Sequence, residues 1–131
     1  MQYKNWSIKM EYTIGQISKI TGLSEYTIRF YEKEKLIPNI KRNKNGIRIF
    51  SEEDLNWVNI VKCFRDTNMS IDDIKNVVAL YEEGDHTLEE RKKLIEKHRE
   101  KIENQIKELR EYLNRIDAKL NMYEGKIKDR H

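Results

Sequence analysis

The stretch IKRNKNGIRIF, residues 40–50, places Lys41, Arg42, Lys44 and Arg48 close together, and no acidic residue occurs between Lys35 and Ser51. Cationic groups crowded in this way suit phosphate, because neutralising backbone phosphates supplies much of a protein's sequence-independent affinity for DNA. Just upstream, SEYTIRFY (residues 24–31) offers Ser24, Tyr26, Thr27, Arg29 and Tyr31. An arginine can pair bidentately with guanine O6 and N7 or clamp a phosphate, and the Thr27 and Tyr31 hydroxyls can donate to phosphate oxygens. A second chemistry rests on Cys63, the only cysteine, in IVKCFRD. It is either a small hydrophobe filling a gap or a thiol presented for reaction.

Charge is distributed to match the first chemistry. The chain has 131 residues and a net charge of +3, but its first fifty carry ten Lys/Arg against four Asp/Glu. The remainder carries sixteen against nineteen, so a basic front precedes a mildly acidic rear. A single proline and few glycines point to a mainly α protein, and the length allows one compact domain or a small domain with an appendage. No apolar run approaches the roughly 20 residues that span a bilayer, and one cysteine cannot form an internal disulfide, so a cytoplasmic protein without a membrane partner is expected. His86, His98 and His131 do not make a metal set, and no cofactor is expected. With no nucleophile–base pair and no phosphate loop, an enzyme is not expected.

These residues need elements to carry them. Residues 1–10 show no periodicity and read as a lead-in, with Met10 a second candidate start. From Thr13, Ile14, Ile17 and Ile20 recur at helical spacing, Gly22 marks a turn, and Ser24 N-caps a second helix that stops before Pro38. Two short helices joined by TGLS form a helix-turn-helix, with Phe30 expected in its core. Asn45-Gly46 signals a hairpin flanked by β-capable residues, so 39–50 is predicted to form a two-stranded wing. Thr13, heading the first helix, and Asn45, in the turn, join the candidate DNA contacts. In a winged helix-turn-helix the N-terminal residues of the second helix meet base edges in the major groove.

Three more helices open with Ser51-x-x-Asp54, Ser70-x-x-Asp73 and Thr87-x-x-Glu90, each a capping hydroxyl three residues ahead of a carboxylate. The first two of these helices end near Asn68 and Gly84, residues suited to a left-handed stop. On the first, Trp57, Ile60, Val61 and Phe64 form the expected apolar stripe, with Cys63 to one side. Cys63 also lies in the last turn, where the backbone dipoles disfavour negative charge. The final helix, from about Thr87 to Tyr123, would extend roughly 55 Å, too long for so small a domain. Its apolar residues Ile106, Leu109, Leu113, Ile116, Leu120, Tyr123 and Ile127 alternate three and four apart, a coiled-coil seam. Ile95, His98 and Ile102 continue it upstream with one stutter. The seam, including Ile102, predicts a homodimer. The divisions are therefore 1–10, a DNA-binding domain over 11–86, a dimerisation helix over 87–123 and a tail over 124–131.

YTIGQISKITGLS, YTIRFYEKEKLIP and NGIRIFSEEDL together resemble the DNA-binding domain of MerR-type transcription regulators, and the element order extends the resemblance over roughly 11–123. It implies a dimer joined by an antiparallel coiled coil and bound to a pseudo-palindromic promoter with an overlong −35 to −10 spacer. Bending and untwisting that spacer lets RNA polymerase engage both elements. Such a bend costs on the order of 1–6 kcal/mol, which several phosphate contacts can supply.

Metal-sensing relatives use cysteines flanking the dimerisation helix, which this chain lacks, and drug-sensing relatives append a large effector domain, whereas few residues follow Tyr123. VKCFRDTNMSIDDI and YEEGDHTLEERKKLI instead resemble the subgroup responding to aldehydes and other electrophiles through a lone cysteine at this position. Asn68 departs from the glycine expected there. The resemblance implies a small electrophile as inducer, sensed at Cys63. Two alternatives stand beside it: a non-covalent inducer held by aromatic residues such as Trp57, Tyr81 and Tyr112, and a coiled-coil module with no DNA function.

Overall fold

The computed structural model describes residues 10–131; of the lead-in assigned to 1–10, all but Met10 lies outside the described residues. In chain order these are β1 (Glu11–Tyr12), α1 (Ile14–Thr21), α2 (Glu25–Lys33), β2 (Lys41–Arg42), β3 (Arg48–Ser51), α3 (Glu52–Asp66), α4 (Ile71–Glu83), a 3-10 turn (Asp85–Thr87) and α5 (Leu88–Asp129). The chain divides into two compact units, one ending at Lys92 and the other running from Lys93 to His131.

In the first unit, α1 opens with a reciprocal capping box. The Thr13 hydroxyl accepts from the Gln16 amide at 3.1 Å, and the Gln16 side chain accepts from the Thr13 amide at 2.9 Å. Gly22 closes the helix in the left-handed region, φ 77°. The inward residues of α1 are Ile17 and Thr21, not Ile20, which is exposed. Thr21 tolerates burial because its hydroxyl donates to the Ile17 carbonyl at 2.7 Å and accepts from the Leu23 amide at 3.2 Å.

Ser24 caps α2 as expected, accepting from the Thr27 amide at 3.1 Å. The helix stops at Lys33, earlier than the sequence suggested, because Lys35 turns left-handed (φ 58°). The Leu36 amide then donates to the Tyr31 carbonyl at 2.8 Å and the Lys35 amide to the Glu32 carbonyl at 3.1 Å, a Schellman ending. The same device closes α3: Asn68 is left-handed (φ 66°), Met69 donates to the Phe64 carbonyl at 2.8 Å and Asn68 to Arg65 at 3.1 Å. In both cases the next residue, Leu36 or Met69, is buried.

The expected wing is present, with an unforeseen third strand. The sheet is antiparallel in the order β1-β3-β2, pairing Tyr12 with Phe50 and Arg42 with Arg48. A two-residue strand such as β1 is too short to show periodicity. The hairpin turn is not a two-residue one: among its glycine and asparagine residues only Gly46 takes positive φ, 78°. The Gly46 amide donates to the Asn43 carbonyl at 2.9 Å, and the Asn43 side chain accepts from the amides of Asn45 (2.9 Å) and Ile47 (3.0 Å). This is a three-residue loop with a bulge at glycine.

Helix α3 buries Leu55, Val58, Val61 and Phe64, so the stripe passes beside Trp57 and Ile60 rather than through them. Ser51 and Asp54 form a full capping box at its start, and Ser70 caps α4 by accepting from the Asp73 amide. Thr87 departs from this grammar. Its buried hydroxyl donates back to the Leu80 carbonyl at 2.6 Å and accepts from Arg91 Nε at 3.0 Å, joining α4 to the start of α5 instead of capping it.

Helix α5 has 42 residues and runs to Asp129, so the segment taken as a tail from 124 is largely helical. In the second unit the seam residues Ile106, Leu109, Leu113, Ile116, Leu120, Tyr123 and Ile127 are between 44 % and 62 % exposed in a single chain. Ile102 is half-buried and His98 is buried. No helix among the described residues is long and apolar enough to cross a membrane.

Candidate nucleic-acid interface

The first unit presents one outward face built from α2 and the hairpin. Along α2, Ile28 and Tyr31 point inward, three residues apart. Tyr26, Arg29, Phe30 and Lys33 are exposed on the other side. This corrects the placement of Phe30, which is 37 % exposed where its neighbour Tyr31 is 5 %. At about 100° per residue Phe30 lies roughly 200° from Ile28, so the two cannot share a face.

At the start of α2, Ser24 Oγ and Thr27 Oγ1 lie 2.9 Å apart, two hydroxyls ahead of an exposed helix N-terminus. Thr13 occupies the corresponding place on α1 and is exposed, and the first turn of α1 contains no acidic residue to repel a phosphate. Arg29 Nη2 donates to Glu25 Oε1 at 3.0 Å. Both side chains are largely in solvent, so reaching a base or phosphate costs Arg29 only a weak ion pair. Burial pushes the Tyr31 hydroxyl above the ordinary tyrosine pKa, leaving a neutral donor whose ring packs in the core.

On the hairpin, Lys41, Arg42, Lys44 and Asn45 are exposed. Lys41 and Lys44 make no ion pair among the described residues, and theirs are the hairpin's unpaired charges. Arg48 is different. Its Nε donates to Glu32 Oε1 at 2.6 Å, and Arg42 Nη2 lies 3.9 Å from the same oxygen. This carboxylate's part is not legible in the sequence, since Glu32 and Arg48 stand sixteen positions apart and no local pattern joins them.

The sensing candidate lies elsewhere in this unit. Cys63 is exposed on α3, one helical turn from the exposed Ile60. Its position beside the buried stripe is the one its spacing predicts. Nearby, Trp57 meets Tyr81 edge to face with centroids 4.9 Å apart, and the Arg91 guanidinium covers the Tyr81 ring at 5.4 Å. Tyr81 donates its hydroxyl to Glu53, and that bond, first among the causes, pushes its pKa up. These two rings are thus half-buried, each meeting the other, with Arg91 over Tyr81. Tyr112 belongs to the second unit, its hydroxyl donating to Glu108 at 3.0 Å. No group of three or more His, Cys, Asp or Glu among the described residues could hold a metal ion.

With this geometry the chain is similar to a defined set of proteins. A model described as MerR HTH family regulatory protein matches residues 12–80, and one described as MerR, DNA binding matches 55–119. An uncharacterized HTH-type transcriptional regulator of Haemophilus influenzae is 40 % identical over 115 residues, covering 88 % of this chain and 85 % of that one. The HTH-type transcriptional regulator AdhR of Bacillus subtilis is 39 % identical over 89 residues, 68 % of this chain and 64 % of AdhR. Among solved structures, HiNmlR, a MerR family regulator lacking the sensor domain and bound to promoter DNA, superposes with TM-score 0.79 at 40 % identity over 88 % of this chain and 91 % of that one. A MerR family regulator from Listeria monocytogenes gives TM-score 0.83 at 40 % identity over 86 % of each chain.

Proposed function

The chain belongs to the MerR family of DNA-binding transcription regulators, and from that premise we propose that it acts as a homodimer on a promoter with an overlong spacer. Two copies joined along α5 set two α2 helices and two wings on the halves of a pseudo-palindrome. Bending and untwisting of the spacer then brings both promoter elements within reach of RNA polymerase. The observation that carries this reading is the seam on α5: seven apolar residues at heptad spacing, all left in solvent by a single chain.

On each half-site, Arg29 and Tyr26 face the base edges from the first turns of α2. Thr13, Ser24 and Thr27 meet backbone phosphates, whereas Tyr31, read from the sequence as a further contact, is buried and serves the core. Lys41, Arg42, Lys44, Asn45 and Arg48 bring the wing against the flanking backbone. Each phosphate neutralised releases counterions, so binding weakens steeply as salt rises.

The inducer is a small electrophile, and Cys63 is its target. Supporting this are the thiol's exposure on α3 and the resemblance of the sequence around it to the single-cysteine, electrophile-responsive subgroup. Addition of the Cys63 sulfur to an aldehyde carbonyl forms a C–S bond as the C=O π bond breaks, and the proton given up by the thiol ends on the carbonyl oxygen, leaving a hemithioacetal. Transcription from the target promoter, measured with and without a short aldehyde such as formaldehyde, tests the assignment. Cys63→Ser is expected to bind the promoter with unchanged affinity and to lose most of the induction. Equal induction in both proteins would remove the sensing role and leave DNA binding intact. Induction without a mass adduct on Cys63 would favour a non-covalent inducer.

A further inference from the structure

The antiparallel register sets Arg42 directly opposite Arg48 on the hairpin. Like charges facing each other across two strands are destabilising, and here both are guanidiniums beside the recognition helix. Glu32, on the last turn of α2, answers them together: Oε1 accepts from Arg48 Nε at 2.6 Å and lies 3.9 Å from Arg42 Nη2. The Glu32 and Arg48 side chains are only 16 % and 22 % exposed, so this pair is shielded from the screening that weakens surface ion pairs. Arg42 also donates through Nη1 to the Gly46 carbonyl at 2.9 Å, carrying the linkage to the turn. Ile40 and Phe50 anchor the base of the hairpin in the core. Between those anchors, residues 41–49 hold no buried side chain, and the carboxylate of Glu32 ties the strands to α2.

We propose that Glu32 is a positioning residue for DNA binding: its carboxylate holds Arg42 and Arg48 together and sets the angle of the wing against α2. The proposal rests on the reading that the wing meets DNA. It makes a claim opposite in sign to simple electrostatics. A carboxylate near a phosphate-binding face repels DNA, so removing its charge should tighten binding if charge alone mattered. If Glu32 positions the wing, removing the charge weakens binding, because two unreconciled arginines push the hairpin out of register with α2.

The test uses the full chain and a duplex that the wild-type protein selects from random sequence, with affinity read by fluorescence anisotropy and folding by thermal unfolding. Glu32→Gln keeps the side-chain shape and removes the charge. It is expected to bind about tenfold more weakly, as loss of one charge-assisted contact implies, while still unfolding in a single cooperative transition above the assay temperature. In the double-mutant cycle with Arg42→Gln, the combined loss is expected to be smaller than the product of the single losses, since removing Arg42 also removes the repulsion that Glu32 offsets. Wild-type or tighter binding by Glu32→Gln, or strictly multiplicative losses in the cycle, would overturn the positioning role. Lys41→Ala and Lys44→Ala remove charges that form no ion pair with Glu32 and report on the wing separately. Weakened binding in both, beside full affinity in Glu32→Gln, would place the failure at Glu32; wild-type binding in both would overturn the wing reading and the proposal with it.

Discussion

Replacing Leu113 and Ile116 together by glutamate is expected to yield a monomer that has lost most of its affinity for promoter DNA. Both residues lie on the α5 seam and are 56 % and 57 % exposed in one chain, so the proposed dimer would cover them. Burying an aliphatic side chain contributes about 1.5–3 kcal/mol. Because each side chain is already about half covered in one chain, a dimer with two such changes per chain forfeits about 3–6 kcal/mol, roughly two to four orders of magnitude in its dissociation constant. Four carboxylates forced into the seam add a desolvation penalty. DNA binding falls with the dimer, because linking two half-site readers raises apparent affinity by about 10²–10⁴. Light scattering after gel filtration reads the first effect and fluorescence anisotropy the second. Glu111→Lys, on the opposite side of the same helix, serves as the control and should change neither. A double variant that stayed dimeric at micromolar concentration would show that the seam is not the interface.

Phe50→Ala is expected to produce the largest loss of stability available from one substitution in the first unit. Phe50 lies on β3, the middle strand of the sheet, pairs with Tyr12 and is fully buried. Emptying such a site costs about 3–5 kcal/mol, against a total of about 5–15 kcal/mol for a domain. For a unit of this size that lowers the melting temperature by more than about 12 °C. The same substitution at Phe30 provides the contrast. Phe30 is exposed on α2, so Phe30→Ala should alter stability little. Thermal unfolding of the two variants side by side checks both placements, and equal effects would contradict the assignment of Phe50 to the core and Phe30 to the surface.

Phe30 also shows where sequence patterning stops. Two adjacent aromatics on a nine-residue helix can be assigned inward or outward only if the inward direction is known. That direction is set by Ile28 and by what α2 packs against, and a single sequence does not display the packing. Ile20, read as part of the apolar spacing, is exposed beside a buried Thr21 for the same reason: a threonine that bonds the carbonyl four residues back can be buried as readily as an isoleucine. Local chemistry was far more legible. Ser24, Ser51 and Ser70 cap the helices they precede, Gly22 and Asn68 take the left-handed conformation, and Gly46 turns the hairpin. Each of those features depends on a handful of consecutive residues.

Features built from distant residues escaped. The strand Glu11–Tyr12 exists because β3 offers it an edge, and the Thr87 hydroxyl faces backward because the Leu80 carbonyl is there to receive it. The Glu32–Arg48 contact is the functional instance. Sequence alone counts Arg48 as a charge available to phosphate, whereas the fold turns its guanidinium toward α2 and leaves Lys41 and Lys44 as the hairpin's unpaired charges. On the exposed face of α2 and the hairpin, the run of cationic residues was therefore readable, and the way they are held was not.

The central claim is that a symmetric pair of these chains reads two half-sites on one duplex. Selection of bound fragments from random-sequence DNA, followed by the mass of the purified complex, tests it most directly. The expected result is an enriched inverted repeat carrying two chains per duplex. Fragments with no shared repeat, or a complex with one chain per duplex, would contradict it.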